Sequence, residues 1–263
     1  MAGINASYKG ISKDELYLLS RADYEGKKII TSEYAKAVYK NRIKAVNQLS
    51  RLVKKGRLFK IENGRYLTSP INAPGSKWRP NEFVTAKYWM GERKYYLCYY
   101  TMYNYWGFTG QIPQVVYVAN TEISRKKIIG GIRYEAVKIR ENRYYGITDI
   151  EVDGEKISVS DRERTLVDYV YRPSASFKEM FMVVSEMAGK IDIEKFAGYL
   201  IRYPEAAVRK RAGYIMEKAG VRDSILKKIN DSIKKNDTYI SLNPSGSGRA
   251  GVIDKKWRVI ISG

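Results

Sequence analysis

Up to Leu67 the apolar positions fall into three helical stripes followed by two short runs. Ser12 with Glu15 three positions on has the spacing of a capping box, and Leu16, Leu18 and Leu19 follow, which predicts a helix from Lys13 to Tyr24. Gly26 ends it. Ile29 and Ile30 form a short apolar link, and Thr31 or Ser32 is placed to cap a second helix through Ala35, Ala37 and Val38. A tight turn at Lys40 and Asn41 leads into a third helix that stops near Gly56. At ~100° per residue, Leu52, Ala45, Leu49, Val53 and Val46 share one arc, with Ile43 somewhat off it. That arc is the predicted buried stripe, and Lys40, Lys44, Asn47, Gln48, Arg51, Lys54 and Lys55 occupy the other side.

Leu58 to Ile61 and Tyr66 to Leu67 flank Glu62-Asn63-Gly64-Arg65. Asn-Gly between apolar runs predicts a hairpin with a type I′ turn, whose two central residues both need positive φ. Helix, helix, basic helix and hairpin in this order predict a winged helix-turn-helix over residues 1–70. Pro70, Pro74, Gly75 and Pro80 then read as a linker to a second domain over 81–263. That domain is expected to mix strands and helices to about residue 159, with alternating apolar segments around Val115, Val137 and Val152, and to be mainly helical from Ser160. Ser160 with Glu163, and Ser176 with Glu179, repeat the capping-box spacing, and Arg172-Pro173 stops the first of these helices. Further helices are expected over Asp192–Tyr203, Glu205–Ala219 and Arg222–Lys235, and a final strand over Trp257–Ile261. The fold class is therefore α+β: an N-terminal winged helix-turn-helix followed by a larger mixed α/β domain with a helical C-terminal portion.

Composition sharpens this. At 263 residues, with 44% hydrophobic, the chain is long enough for about two folded domains. A net charge of +20 favours a polyanion as partner, nucleic acid before an anionic membrane. The charge is concentrated: between Lys36 and Arg65 ten basic residues face one acid, Glu62. With no histidine anywhere, Ser-His-Asp and Cys-His nucleophiles and His-containing metal sites are excluded. Cys98 is alone, which rules out an intrachain disulfide or a multi-cysteine zinc site and suits a reducing compartment. No apolar run approaches the roughly 18 residues of a membrane span, and Met1 to Lys13 lacks the apolar core of a signal peptide, so no membrane association and a cytoplasmic location are expected. No cofactor or metal site is expected either.

The third helix carries the candidate chemistry. Arg and Lys pair with guanine in the major groove, and Asn and Gln with adenine. Lys40, Asn41, Lys44, Asn47, Gln48, Arg51 and Lys55 are the expected recognition-helix residues, with Lys60, Asn63 and Arg65 on the wing reaching phosphates. The partner expected is double-stranded operator DNA.

Two rival readings remain. Asp149, Glu151 and Asp153 alternate, so on a strand they would share a face and could hold a divalent cation, as in a nuclease, although Asp153-Gly154 also reads as a hairpin turn. The tyrosines at 88, 95, 96, 99, 100, 103 and 105, with Arg209-Lys210-Arg211, admit an RNA-binding protein. Tyr96, Tyr99, Tyr100 and Tyr103 have helical spacing, which reads as one packed aromatic face or as a stacking platform. Three adjacent basic residues on a helix cannot all face one way, which favours a solvated surface.

Several stretches resemble the AbiEi family of antitoxins and transcriptional regulators from type IV toxin–antitoxin systems. They are SDRERTLVDYVYRP from Ser160 to Pro173, RAGYIME from Arg211 to Glu217, and YISLNP from Tyr239 to Pro244 with Gly251 and Trp257. Tyr105 to Pro113 resembles a further segment, in which relatives usually carry histidine where this chain has Trp106. The resemblance implies a winged-helix repressor that binds inverted repeats in its own operon. It also implies a C-terminal domain that counters a nucleotidyltransferase-like toxin without a stable complex. The Ser160 motif also reads structurally, with Ser160 as cap, Leu166, Val167 and Val170 packing, and Arg162 or Arg164 paired with an acid.

Overall fold

The computed structural model describes residues 10–73, 78–173, 176–243 and 251–261. Pro74 and Gly75 of the expected linker and Pro244 of the C-terminal motif lie outside these. The fold is mixed α+β, and the chain divides into two compact units. One comprises Met1–Arg93, Lys126–Tyr134 and Glu151–Glu155; the other comprises Lys94–Arg125, Glu135–Ile150 and Lys156–Gly263. No helix among the described residues is long and apolar enough to cross a membrane.

The first unit begins with α1 (Lys13–Tyr24), β1 (Ile29–Thr31), α2 (Ser32–Tyr39), α3 (Arg42–Lys54), β2 (Leu58–Glu62) and β3 (Arg65–Thr68). The capping box forms: Glu15 N donates to Ser12 Oγ at 3.3 Å and Ser12 N to Glu15 Oε2 at 2.7 Å. Leu18, Leu19 and Ala22 of α1, Ala35 of α2, and Ala45, Leu49 and Leu52 of α3 close a core with Ile30 and Leu58. β1 pairs antiparallel with β3, and β3 with β2, giving the order β1-β3-β2.

The hairpin turn departs from the expected type I′. Only Gly64 has positive φ, at 74°, and a bulge between Lys60 and Glu62 takes up the register. Both central residues are positive instead at Asp153 and Gly154, at 52° and 73°. Of the stretch expected as a linker, Ala73 and Pro80 are buried, Arg57 donates to the Ala73 carbonyl at 3.0 Å, and the Trp78 ring lies 5.6 Å from that of Phe59. Asn81 caps α4 (Glu82–Met90) through bonds from Phe83 N and Val84 N.

Glu155 ties this unit together, accepting from Lys28 at 2.6 Å, Lys87 at 2.8 Å and the Tyr88 hydroxyl at 2.8 Å. Burial raises its carboxyl, but these three donors outweigh it and bring it down from 4.5 to about 2. A carboxyl depressed on folding contributes stability above its unfolded value and loses it as the pH falls through the folded one. Glu155→Gln is therefore expected to cost up to about 3 kcal/mol near neutral pH. Thermal melts at stepped pH check this: parent and variant curves should converge between pH 4.5 and about 2, and parallel curves would contradict it.

The second unit contains β4 (Tyr95–Leu97), α5 (Tyr100–Tyr105), β5 (Val115–Asn120) and helices α6 (Arg162–Tyr171), α7 (Phe177–Ala188), α8 (Ile193–Arg202), α9 (Ala206–Lys218) and α10 (Asp223–Asp231). Two hairpins, β6 (Arg125–Ile129) with β7 (Ile132–Lys138) and β8 (Ile147–Val152) with β9 (Glu155–Ser160), of which residues 126–134 and 151–155 belong to the first unit, complete a six-stranded sheet of order β6-β7-β5-β4-β9-β8. β4 pairs antiparallel with β5 and parallel with β9. A small sheet of β10 (Ile240–Ser241), β12 (Val259–Ile261) and β11 (Val252–Asp254), in that order, ends the chain. Trp257, expected in the last strand, lies before it.

The family-like motifs occupy packing positions. α6 is capped by Asp161, whose Oδ1 accepts from Arg164 N at 2.7 Å, and not by Ser160, whose hydroxyl is 2.7 Å from that of Thr165. Glu163, expected to return the cap, instead accepts from Asp192 N at 3.1 Å and pairs with Lys195 at 2.9 Å. The Ser176–Glu179 box forms as expected on α7. In α9, Gly213 lets the buried Trp257 ring lie against the helix: a Cβ there would come within 2.1 Å of the ring. Trp257 Nε1 donates to Glu217 one turn on, at 2.7 Å.

Candidate nucleic-acid interface

Two residues separate α2 from α3. Lys40 takes the left-handed conformation, φ 53°, and Asn41 accepts from Lys44 N at 2.9 Å to cap α3. The helix reverses sharply here because Lys40 accepts a backbone conformation costing of order 1 kcal/mol. α3 then buries Ala45, Gln48, Leu49 and Leu52, a stripe at helical spacing. Its outward face carries Arg42, Ile43, Lys44, Val46, Asn47, Ser50, Arg51 and Lys54, all exposed, with no acid among them.

The buried stripe is rotated from the expected one. Val46, expected inside, is 54% exposed, while Gln48, expected outside, is buried. Ala45, Leu49 and Leu52 centre the stripe, which leaves Val46 and Gln48 on its two edges. The Gln48 Oε1 has no hydrogen-bond partner, and the side chain lines a shallow groove of about 330 Å³ with Asn41, Ile43, Lys44, Asn47 and Arg51.

The remaining expected residues separate into free and committed groups. The side chains of Asn47 and Arg51 make no hydrogen bond or ion pair with other described residues. Lys44 sits 2.9 Å from Asp14 and over the Tyr39 ring, in an exposed pair that holds it weakly. Lys60 and Asn63 are exposed on the hairpin. Lys55 is not available: its ammonium is 2.6 Å from the fully buried Glu15 and donates to the Gly10 carbonyl at 2.8 Å. Burial works to raise the Glu15 carboxyl, but Lys55 and Ser12 outweigh it and hold it below its ordinary value. Arg65 is committed too, donating to the Tyr88 carbonyl at 3.3 Å and lying against Gly91 at the end of α4. Sequence reasoning missed Arg42, which its place just after the cap could have revealed, and the exposed pair Ile43 and Val46.

The rival sites do not assemble. Asp149 is held by Ser158 at 2.8 Å and Lys156 at 3.0 Å, and Asp153 sits in the hairpin turn. Among the described residues no three His, Cys, Asp or Glu side chains lie close enough to hold a metal ion. Tyr96 belongs to β4 and Tyr99 precedes α5 with φ 50°, so the expected single helical face does not exist; Tyr96, Tyr99 and Tyr103 are nonetheless buried. Arg209-Lys210-Arg211 is not a solvated surface. Lys210 is fully buried, bonded to the carbonyls of Asn236 and Thr238 and to the Asn236 side chain, Arg211 donates to the Ser241 carbonyl, and Arg209 to those of Ile201 and Tyr203. Burial lowers the Arg211 guanidinium to about 10.

No protein-family model and no curated protein matches this chain. Among solved structures, the RV2827C protein from Mycobacterium tuberculosis has a similar fold, with a TM-score of 0.65 at 11% identity over 95% of this chain and 92% of that one. At that identity the likeness concerns the fold alone.

Proposed function

We propose that this chain is a sequence-specific DNA-binding transcriptional repressor whose α1 to β3 form a winged helix-turn-helix, with α3 as recognition helix and the β2–β3 hairpin as wing. The observation that carries the reading is the outward face of α3, where Arg42, Asn47, Arg51 and Lys54 stand exposed without an acid, behind a two-residue turn from α2. Such a face offers donors for base edges and phosphates together. Ile43 and Val46 beside them are suited to thymine methyl groups. The order β1-β3-β2 behind the helices agrees with a winged helix.

Gel shift against the DNA upstream of its own gene tests the proposal, with random duplex and RNA of matched length as competitors. Preferential retention of the upstream duplex is expected; equal competition by RNA would overturn it. Lys60→Ala is expected to weaken binding to upstream and random DNA alike and to reduce the salt slope by about one unit. Arg65→Ala should leave that slope unchanged, because its guanidinium is bound to the Tyr88 carbonyl.

We further propose, from the AbiEi-like motifs alone, that the protein is the antitoxin of a type IV system. It would bind inverted repeats in its own operon and counter a nucleotidyltransferase-like toxin without a stable complex or a catalytic step of its own. Co-expression with the neighbouring toxin gene tests this.

A further inference from the structure

We infer that the second unit binds a small phosphate-bearing ligand in a cleft beside Arg143 and Arg172, a role separate from DNA recognition. The cleft has a volume of about 460 Å³, and its polar lining is Lys138, Arg143 and Arg172 with Tyr99 and Tyr171, without an acid.

Arg143 is the anchor. The residue is 9% exposed, and its guanidinium carbon lies 4.5 Å from the centre of the Tyr171 ring and 4.7 Å from that of Tyr203. It donates to the Tyr203 hydroxyl, and Glu205, partly exposed, stands 3.6 Å away. Yet its Nε is buried with no hydrogen-bond partner. Arg143 brings to the cleft wall a cation whose ion-pair partner is partly exposed, and an anion in the cleft would add to its neutralisation.

Arg172 supplies the second fork. It spans the rings of Tyr99, Tyr100 and Tyr117 at 5.6, 5.6 and 5.3 Å and forms no ion pair among the described residues, Glu135 acting on it only through the field. Tyr100 takes one of its donors, and the planar fork of five donors keeps others for a grip on phosphate oxygens. Lys138 adds an exposed point charge. Tyr99, held at φ 50°, a conformation that non-glycine residues rarely adopt, forms a wall of the same cleft.

The test is calorimetric titration of the full-length chain with sodium pyrophosphate, ADP and adenosine at constant ionic strength. Pyrophosphate and ADP are expected to bind, ADP alone if the tyrosines also contribute to holding a base, and adenosine not at all. Arg172→Gln should weaken binding about tenfold or more, and Lys138→Ala about threefold. Arg51→Ala, which removes an equal charge from α3, should leave it unchanged, separating the cleft from the general attraction of a basic protein. If Arg172→Gln fails to fold, Lys138→Ala, at an exposed position, carries the test. No binding of pyrophosphate or ADP up to about 5 mM, adenosine binding as tightly as ADP, or equal losses in Arg51→Ala and the cleft variants would overturn the inference.

Discussion

Alanine at Asp168 lowers the stability of the second unit by about 3–5 kcal/mol, because it leaves Arg164 buried and charged without its carboxylate partner. The two side chains lie one turn apart on α6, 3.0 Å from each other and fully buried. The contact is close enough for strong attraction but not aligned as a hydrogen bond, and neither Asp168 oxygen has another donor. Burial opposes the charge on Arg164, but Asp168 and the hydroxyls of Tyr96, Tyr145 and Tyr203 outweigh it and keep the guanidinium protonated. On Asp168 burial leads as well, and raises the carboxyl against the pull of Arg164 and Arg143. Tyrosine rings can soften an unpaired guanidinium but cannot neutralise it. Replacing both partners by apolar residues of similar volume, as in Arg164→Met with Asp168→Leu, should therefore recover most of the loss. Urea unfolding followed by fluorescence checks both variants. A single Asp168→Ala variant within about 1 kcal/mol of the parent would show that Arg164 finds compensation elsewhere.

The same pair shows where sequence reading stops. The elements of the first unit were legible because each rests on local chemistry: the Ser12–Glu15 box, Gly26, the Thr31 and Asn41 caps, and Gly64. So was the i, i+4 spacing of Arg164 and Asp168, but spacing does not say whether a pair is solvated or enclosed. Arg164 and Lys210 are enclosed by chain segments far away in sequence, such as Tyr96 and Asn236. Arg65 and Lys55 were lost to the proposed wing and recognition face for the same reason. Their partners, the Tyr88 carbonyl and Glu15, lie on other helices, and a basic residue in a basic stretch carries no mark of being engaged. The edges of the α3 stripe were undecidable as well, because Val46 and Gln48 both sit at the margin of the arc and tertiary packing chose between them. Two turn chemistries that look alike, Asn63-Gly64 and Asp153-Gly154, took different conformations because a bulge in β2 changed what the first had to close.

On the function proposed above, the full chain carrying Asn47→Ala and Arg51→Ala is expected to lose about thirtyfold or more in affinity for the upstream duplex and still to rescue growth against the neighbouring toxin. Each bidentate base contact contributes about 1–3 kcal/mol of discrimination, so two together reach that factor, whereas binding to random duplex should fall far less. Both side chains are exposed and unpaired among the described residues, and alanine is favourable in a helix, so stability should change little. Point variants are the right instrument because the first unit does not end at the hairpin. Arg57 bonds the Ala73 carbonyl, Arg65 the Tyr88 carbonyl, and Glu155 joins Lys28 to Lys87, so a cut at Ile71 would open its core. The variant should be expressed with the neighbouring toxin gene under an independent promoter, so that repression cannot contribute to survival, and its operator affinity measured in parallel. Unchanged operator binding would remove α3 as the reading helix. Loss of DNA binding together with loss of growth rescue would mean that neutralisation proceeds through the DNA-bound protein. Loss of binding with rescue intact would assign the two activities to different surfaces of one chain, and would leave the second unit, where the AbiEi-like motifs lie, as the place to search for the second.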